Sequence, residues 1–473
     1  MHSTRREAIA PRTTRACDRC YAIKARCQKP QCLAACVRCS RLGFECLNVR
    51  PAKKAGRAPR CPLPRPRLGS QAEETSGENA MGSSCSDLAP VLCRDPSPVD
   101  DLAPRARDLV YDLLTNDDVY DQVWVGPSFW ESHRKALLSH YHRSGSTLHD
   151  AFLACALSWP TLFESSGRHG SEADASFQYA SSASERLREF RVWNNHTASE
   201  CLMLGSLVLT FTYWSKVPDI HTTCRQTLRL IKPFYESTLG FDDYDGSISL
   251  SSLIITELFD CLLRGLDPTF RYCHVLAPEA PPDRHLGLCT CLLPYIFDVC
   301  KINSNLRLGH YRNPPEFLEA VNPVEEAVED WQPLIPKGFF SDFTSIEVAH
   351  MLCQAQVMRL CTLLIIYRLK YPFGVNDKMA RVMAMTILTQ IESTSLATKK
   401  AMNFITLPVL VACFEMNDKR ERERWYNCLP CLIHHSERFD TYIQSLLGSF
   451  WTLRDVNAPI LWCNLGEFLS PIL

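Results

Sequence analysis

The sequence predicts a small metal-stabilised head with two short helices, joined by a disordered linker to a large all-α body. Three observations carry that division. Seven of the 24 cysteines fall between Cys17 and Cys46. The 64 residues from Leu47 to Val110 contain no Phe, Trp, Tyr or Ile. From about Asp108 onward, apolar residues recur with helical period. The expected domains are therefore residues 1–50, 51–107 and 108–473.

Charge divides the chain in the same place. The formal net charge is −1, yet residues 1–67 carry 17 Lys and Arg against three Asp and Glu, a formal +14. The remainder carries 34 against 49, a formal −15. A basic head on an acidic body calls for a polyanion as partner of the head. With 46% apolar and 22% charged residues over 473 positions, most of the chain can bury a core.

Other classes are disfavoured. No uncharged stretch reaches the roughly 18 residues of a membrane helix. The best candidate, Cys201 to Ser215, is short and interrupted by Gly205, Ser206 and threonines. Arg5 and Arg6 are not followed by an apolar run, so neither a secretory signal nor a membrane partner is expected. Outside the dense cluster the other 17 cysteines are scattered, unlike a secreted disulfide framework. The pattern points to an intracellular protein with one local metal site.

The head reads CDRCYAIKARCQKPQCLAACVRCSRLGFEC from Cys17, with cysteines at Cys17, Cys20, Cys27, Cys36, Cys39 and Cys46 and an extra Cys32 in the long loop. Each half repeats C-x2-C-x6-C. The C-x2-C pair brings two thiolates to one ion, and the third cysteine closes the next loop onto it. Three thiolates leave a tetrahedral zinc one ligand short. Six thiolates satisfy two ions only if two of them bridge, so the repeat fits a binuclear cluster better than two separate fingers. So short a segment, poor in large apolar side chains, needs its metal to fold. The cluster's six thiolate charges exceed those of two zinc ions, and neighbouring Arg and Lys can offset the difference.

The spacing and the basic residues between the cysteines resemble the fungal binuclear zinc-cluster transcription factors. That resemblance implies that Cys17 and Cys36 bridge, that Cys20, Cys27, Cys39 and Cys46 are terminal ligands, and that two Zn2+ ions bind per chain. It also implies double-stranded DNA as partner, with the lysine at Lys24 reaching CGG-like triplets in the major groove. An ammonium suits the O6 and N7 acceptors of adjacent guanines. Arg15, Arg19, Arg26 and Arg38 are then expected on phosphates, aided by the free N–H groups at the start of a short helix over Asp18–Ala25. The sequence departs from the family in placing Pro30 just before Cys32, and in having Ile23 where a basic pair is common. Keeping Cys36 as the fourth ligand preserves the x2 spacing to Cys39 and leaves Cys32 spare.

Nine of the 30 prolines lie in the linker between Leu47 and Val110. Its first part, RPAKKAGRAPRCPLPRPR, presents Lys53, Lys54, Arg57 and Arg60 for phosphate contact or nuclear import. Pro51, Pro59, Pro62, Pro64 and Pro66 forbid a continuous heptad helix, so a homodimer would have to form elsewhere. Between Leu68 and Gln122 the balance reverses to 12 acidic and three basic residues. The end of that run, Asp108–Trp124, alternates aspartates with Leu, Val, Tyr and Trp. It reads either as an acidic activation segment or, preferably, as the first amphipathic helix of the body with its aspartates outside.

Within the body, Thr344 and Glu347 form a capping-box sequence. Cys353, Val357, Leu360, Cys361 and Leu364 follow at helical spacing before Pro372 and Gly374 end the run. Phe439, Tyr442, Ile443, Leu446, Leu447 and Phe450 make another stripe, and similar stripes cover 149–163, 197–214, 250–264, 379–391 and 403–414. Hairpin signals between alternating strands are lacking. The stretches AHMLCQAQVMRLCTLLIIYRLKYPFG and NFITLPVLVACFEMNDKRERERWYNCLPCL are similar to the C-terminal regulatory domain of the fungal factors. The first cluster half is also similar to regulators of secondary-metabolite gene clusters.

Several other constellations carry little. Cys428 and Cys431, followed by His434 and His435, have zinc-like spacing, but Leu429, Leu432 and Ile433 suit a core helix. In FDDYDG (241–246) a calcium loop would need a carboxylate at Phe241. Asn195 heads a glycosylation sequon that matters only in a secreted chain. No nucleotide loop, nucleophile elbow or HExxH is present, so no enzyme is expected. The expected function is nuclear, sequence-specific DNA binding that regulates pathway genes, with transcription machinery or co-regulators as further partners. Its rivals are a metal-dependent interaction module, and an enzyme with a helical catalytic body and a targeting head.

Overall fold

The computed structural model describes residues 104–117, 124–159, 171–215, 220–238, 244–272, 281–432, 437–456 and 459–469. The cysteine-rich head and the linker before Pro104 lie outside them. Among the described residues there are fifteen α-helices and no strand, only two isolated bridges, Asp283 with Gly287 and Phe373 with Ile460. The all-α expectation for the body holds.

The first half contains α1 (Pro104–Thr115), α2 (Trp130–Ser158), α3 (Ser171–Glu189), α4 (Asn195–Ser215), α5 (Ile220–Thr238) and α6 (Tyr244–Arg264). In α1, Val110, Leu113 and Leu114 are buried while Asp108 and Asp112 face out. Over these residues the acidic-apolar run is an amphipathic helix of the body. Of the stripe read over 149–163, residues 149–158 belong to α2, which begins at Trp130, bends at Ser144 (φ −126°, ψ 25°) and ends at Ser158, while 160–163 lie outside the described residues. Asp245 and Gly246 of the calcium-like sequence lie in the first turn of α6.

α4 is the axis of this half, contacting α2, α3, α5 and α6. It is apolar on every side, as a helix surrounded by others must be. Asn194 caps it: its Oδ1 accepts from Thr197 N at 2.8 Å, and Thr197 Oγ1 accepts from the N–H groups of Trp193 and Asn194 at 3.1 Å. Gly205 does not interrupt the helix, as its place in the sequence suggested. A Cβ there would lie 2.3 Å from Thr227 Oγ1, so the glycine is where α5 comes closest.

The second half contains α7 (Leu293–Arg307), α8 (Pro314–Asp330), the single turn α9 (Phe339–Asp342), α10 (Ser345–Lys370) and α11 (Asp377–Thr398), then α12 (Thr406–Phe414), α13 (Lys419–Leu432), α14 (Glu437–Val456) and α15 (Leu465–Leu469). α10 packs on α7, α8, α11 and α12, and α6 against α7 joins the halves. The capping box of α10 forms as its sequence requires, with Thr344 N donating to Glu347 Oε2 at 2.8 Å and Glu347 N donating to Thr344 Oγ1 at 3.3 Å. Glu347 does a second job: Ser128 donates to it from both N and Oγ at 2.7 Å, fastening the segment before α2 to the start of α10.

By length and composition α10, not the Cys201–Ser215 stretch, is the described helix apolar enough to cross a membrane. Its most apolar window has a mean hydropathy of 1.4 and is 61% buried within the protein. Its apolar faces already meet four neighbouring helices, which marks it as a core helix.

Candidate functional site

The residues that carry the sequence-based expectation lie outside the described residues. They are the ligands Cys17, Cys20, Cys27, Cys36, Cys39 and Cys46, the DNA-contact candidates Arg15, Arg19, Lys24, Arg26 and Arg38, and the import candidates Lys53, Lys54, Arg57 and Arg60. His434 and His435 lie outside them as well. Cys428 is half-buried on α13, between the buried Leu429 and the rest of that core-facing helix. Among the described residues no group of three or more His, Cys, Asp or Glu is placed to hold a metal ion.

The described body cysteines are chemically quiet. The twelve whose side chains are described are free thiols, and nine of them are buried. Burial pushes Cys155, Cys201 and Cys261 up to about 12, so they stay protonated and poorly nucleophilic.

Two buried polar clusters stand out, and both connect segments far apart in the sequence. The first centres on Arg368, near the end of α10. Its Nε donates to Glu415 Oε1 at 2.7 Å, its Nη2 to Asp377 Oδ1 at 2.8 Å, and its Nη1 to the carbonyls of Pro372 and Val375 at 3.0 and 3.1 Å. Arg454 from α14 donates to Asp377 Oδ2 at 3.0 Å and to the Phe414 carbonyl at 2.6 Å. Both guanidinium groups also face the Phe373 ring, at 4.7 and 5.4 Å.

Burial raises the Glu415 carboxyl, and Arg368 only partly opposes it. At the more open Asp377 burial also raises the carboxyl, but the hydrogen bond and charge of Arg368 outweigh it and the net direction is down. Two cations face two carboxylates with hydrogen bonds to nearly every donor, which is what allows charge to sit in an apolar interior. The cluster holds the α10–α11 turn against α12 and α14. The sequence held a clue to it: Arg368 is four residues beyond Leu364 on the apolar stripe, and Glu415 directly follows the apolar run of α12. A charge at a core position demands a partner, but spacing alone does not say which.

The second cluster surrounds Trp124. His133 and His285 lie 4.0 and 4.5 Å from its ring, and the Arg284 guanidinium lies 5.5 Å away. Asp283 accepts from Ser251 Oγ at 2.6 Å and from the N–H groups of His285 and Leu286 at 2.8 and 2.9 Å. Burial still raises its carboxyl. Burial, with the neighbouring Arg284 and His285 charges, holds His133 well below the usual imidazole range. Gln354 of α10 donates to the His285 carbonyl at 3.0 Å, and Phe404, at φ +57°, sets its ring edge-on to His285 at 5.0 Å. Asp283 spends its acceptors on its own turn and on Ser251, so this cluster closes a seam between the halves.

Among the described residues, both buried polar clusters fasten distant segments of an all-helical body together. Residues 116–461 match the model of the fungal specific transcription factor domain. The chain belongs to that family, and is a fungal-type transcription regulator. No curated protein and no solved structure matches the chain.

Proposed function

We propose that the chain is a sequence-specific, zinc-dependent DNA-binding transcriptional regulator that acts in the nucleus. The observation that carries this reading is the coupling, in one chain, of a transcription-factor body with a basic segment bearing two C-x2-C-x6-C units. The donor set fits the metal: six thiolates are soft ligands of the kind zinc takes in closed structural sites. When bound, two Zn2+ ions supply the fold of the head and no chemistry beyond it. Cys17 and Cys36 would bridge, and Cys20, Cys27, Cys39 and Cys46 would each bind one ion.

The metal-held head presents Lys24 to guanine edges, while Arg15, Arg19, Arg26 and Arg38 neutralise phosphates. Lys53, Lys54, Arg57 and Arg60 add charge along the duplex or address the protein to the nucleus. The acidic body regulates, through co-regulators or the transcription machinery. Selection of duplex sequences by the full-length protein tests this reading, with enrichment of CGG-like triplets expected. Lys24→Ala should reduce the preference for the selected site by about 1–3 kcal/mol per lost base contact. Arg19→Ala should weaken all duplexes about equally and flatten the salt dependence. If the two variants behave alike, Lys24 does not read bases.

A further inference from the structure

The outer face of α11 is unlike the surface of an ordinary amphipathic helix, which turns charged residues to solvent. Ala380, Ala384, Ile387, Leu388 and Ile391 point into the core. On the other side Met379, Val382 and Leu396 are 57%, 56% and 73% exposed. Met379, Val382, Thr386, Thr389, Ser393 and Leu396 fall at i, i+3, i+7, i+10, i+14 and i+17, one line along the helix. A shallow depression of about 610 Å³ lies over the first part of this side, between Lys378 and Gln390, with Val382, Met385, Thr386 and Thr389 in its lining.

The unpaired charge along this face is cationic. Lys378 and Lys399 are exposed at the two ends and have no ion-pair partner among the described residues. Arg381 lies between them, paired at the rim with Glu421 of α13. The carboxylates of α11 are both paired, Asp377 by Arg368 and Arg454 and Glu392, on the same edge as Arg381, by Arg424. An apolar depression with Lys378 and Arg381 in its lining, and Lys399 at the far end of the helix, thus sits on a part of the chain whose formal charge is −15.

We propose that this face docks an acidic amphipathic helix of a partner protein, its apolar residues in the depression and its carboxylates on Lys378, Arg381 and Lys399. α11 has 22 residues and so offers about 33 Å of length, enough for a partner helix of several turns. The methionines adapt to varied apolar side chains. A second copy of the chain is a poorer occupant. Two such faces packed antiparallel bring Lys378 of one copy beside Lys399 of the other, and packed parallel they bring Lys378 to Lys378. Like charges meet in both cases.

Fluorescence anisotropy of the full-length protein with a labelled synthetic helical peptide tests the proposal without involving DNA. The probe carries Leu at i, i+3, i+7 and i+10 with Glu and Asp elsewhere; its control has Lys at every acidic position. Saturable binding of the acidic probe is expected, weakened by added salt. Val382→Asp and Leu396→Asp, both at exposed positions, should each weaken it about tenfold or more, and Lys378→Glu about fivefold. Phe340→Asp, on an exposed residue outside α11, should leave it unchanged. The proposal falls if the acidic probe does not saturate, if the lysine probe binds equally, or if neither aspartate variant weakens binding. A full-length dimer that Val382→Asp dissociates, without probe binding, would assign the face to a second copy instead. DNA selection by the same preparation reports separately on the head.

Discussion

Head and body hold the same residue type in opposite settings. Between Cys17 and Cys46, seven cysteines share 30 residues with six Lys and Arg and two carboxylates. In the body the described cysteines are spread over about half of the helices, most of them buried. Cationic surroundings favour thiolates, and thiolates in repeated close spacing favour metal. Apolar burial does the reverse, holding a thiol protonated and out of reach. Cysteine content therefore says little by itself; local density and local charge decide which chemistry follows.

The largest effect that would break this comparison comes from metal removal. Binding of structural zinc contributes about 10–16 kcal/mol in small zinc domains, so chelation should release two zinc ions per chain and abolish duplex binding. The helical circular dichroism signal should fall by no more than about a tenth, because the body fastens itself with apolar packing and its own ion pairs. A comparable loss of helix signal would mean that body and head share their stability.

Next in size is the Arg368 cluster. Arg368→Ala strips one partner from the fully buried Glu415 and should cost about 3–5 kcal/mol in urea unfolding. Replacing Arg368 by Met together with Glu415 by Leu should recover much of that loss, because it removes both charges. A smaller effect is expected from Gly205→Ala, which forces α4 and α5 apart at Thr227 and should cost about 1–3 kcal/mol. Thr227→Ala in the same chain should relieve part of it. An unchanged urea midpoint for Gly205→Ala would show that the helices adjust freely there.

The smallest effect is a dependence on pH. Burial, with the nearby Lys400, lowers His350 to about 4 from an ordinary 6.5. Between those values the unfolded chain takes up a proton that the folded chain refuses, so stability is lost as the pH falls from 6.5 towards 4. His350→Gln should flatten the urea midpoint over that window, by on the order of 1 kcal/mol between pH 6.5 and 5. Parallel profiles for the parent and the variant would remove His350 from the account.

Much of the body is legible in the sequence alone. The capping box at Thr344 and Glu347, the stripe from Cys353 to Leu364 and the stop at Pro372 all mark α10, because each is a local signal within a few turns. α5 and α8 were not singled out, and each carries an internal proline, Pro233 and Pro323, where sequence rules expect a break. α13 opens KRERERW, too highly charged to show an apolar face until Trp425 and Leu429 are seen to be buried. Gly205 read as an interruption because its reason, Thr227 on the neighbouring helix, is not in its own segment.

The sequence by itself determined the division of the chain: where cysteines and cations gather, where no core can form, and where apolar residues repeat at helical spacing. These are properties of composition and of neighbours within a turn or two. Only the tertiary structure decided that Arg368 meets Glu415 and Asp377, that Glu347 fastens Ser128 as well as its own helix, and that no other described residue covers the outer face of α11. Most such pairings join residues tens to hundreds of positions apart. They are set by which helix faces can pack densely together, and no local pattern encodes that choice.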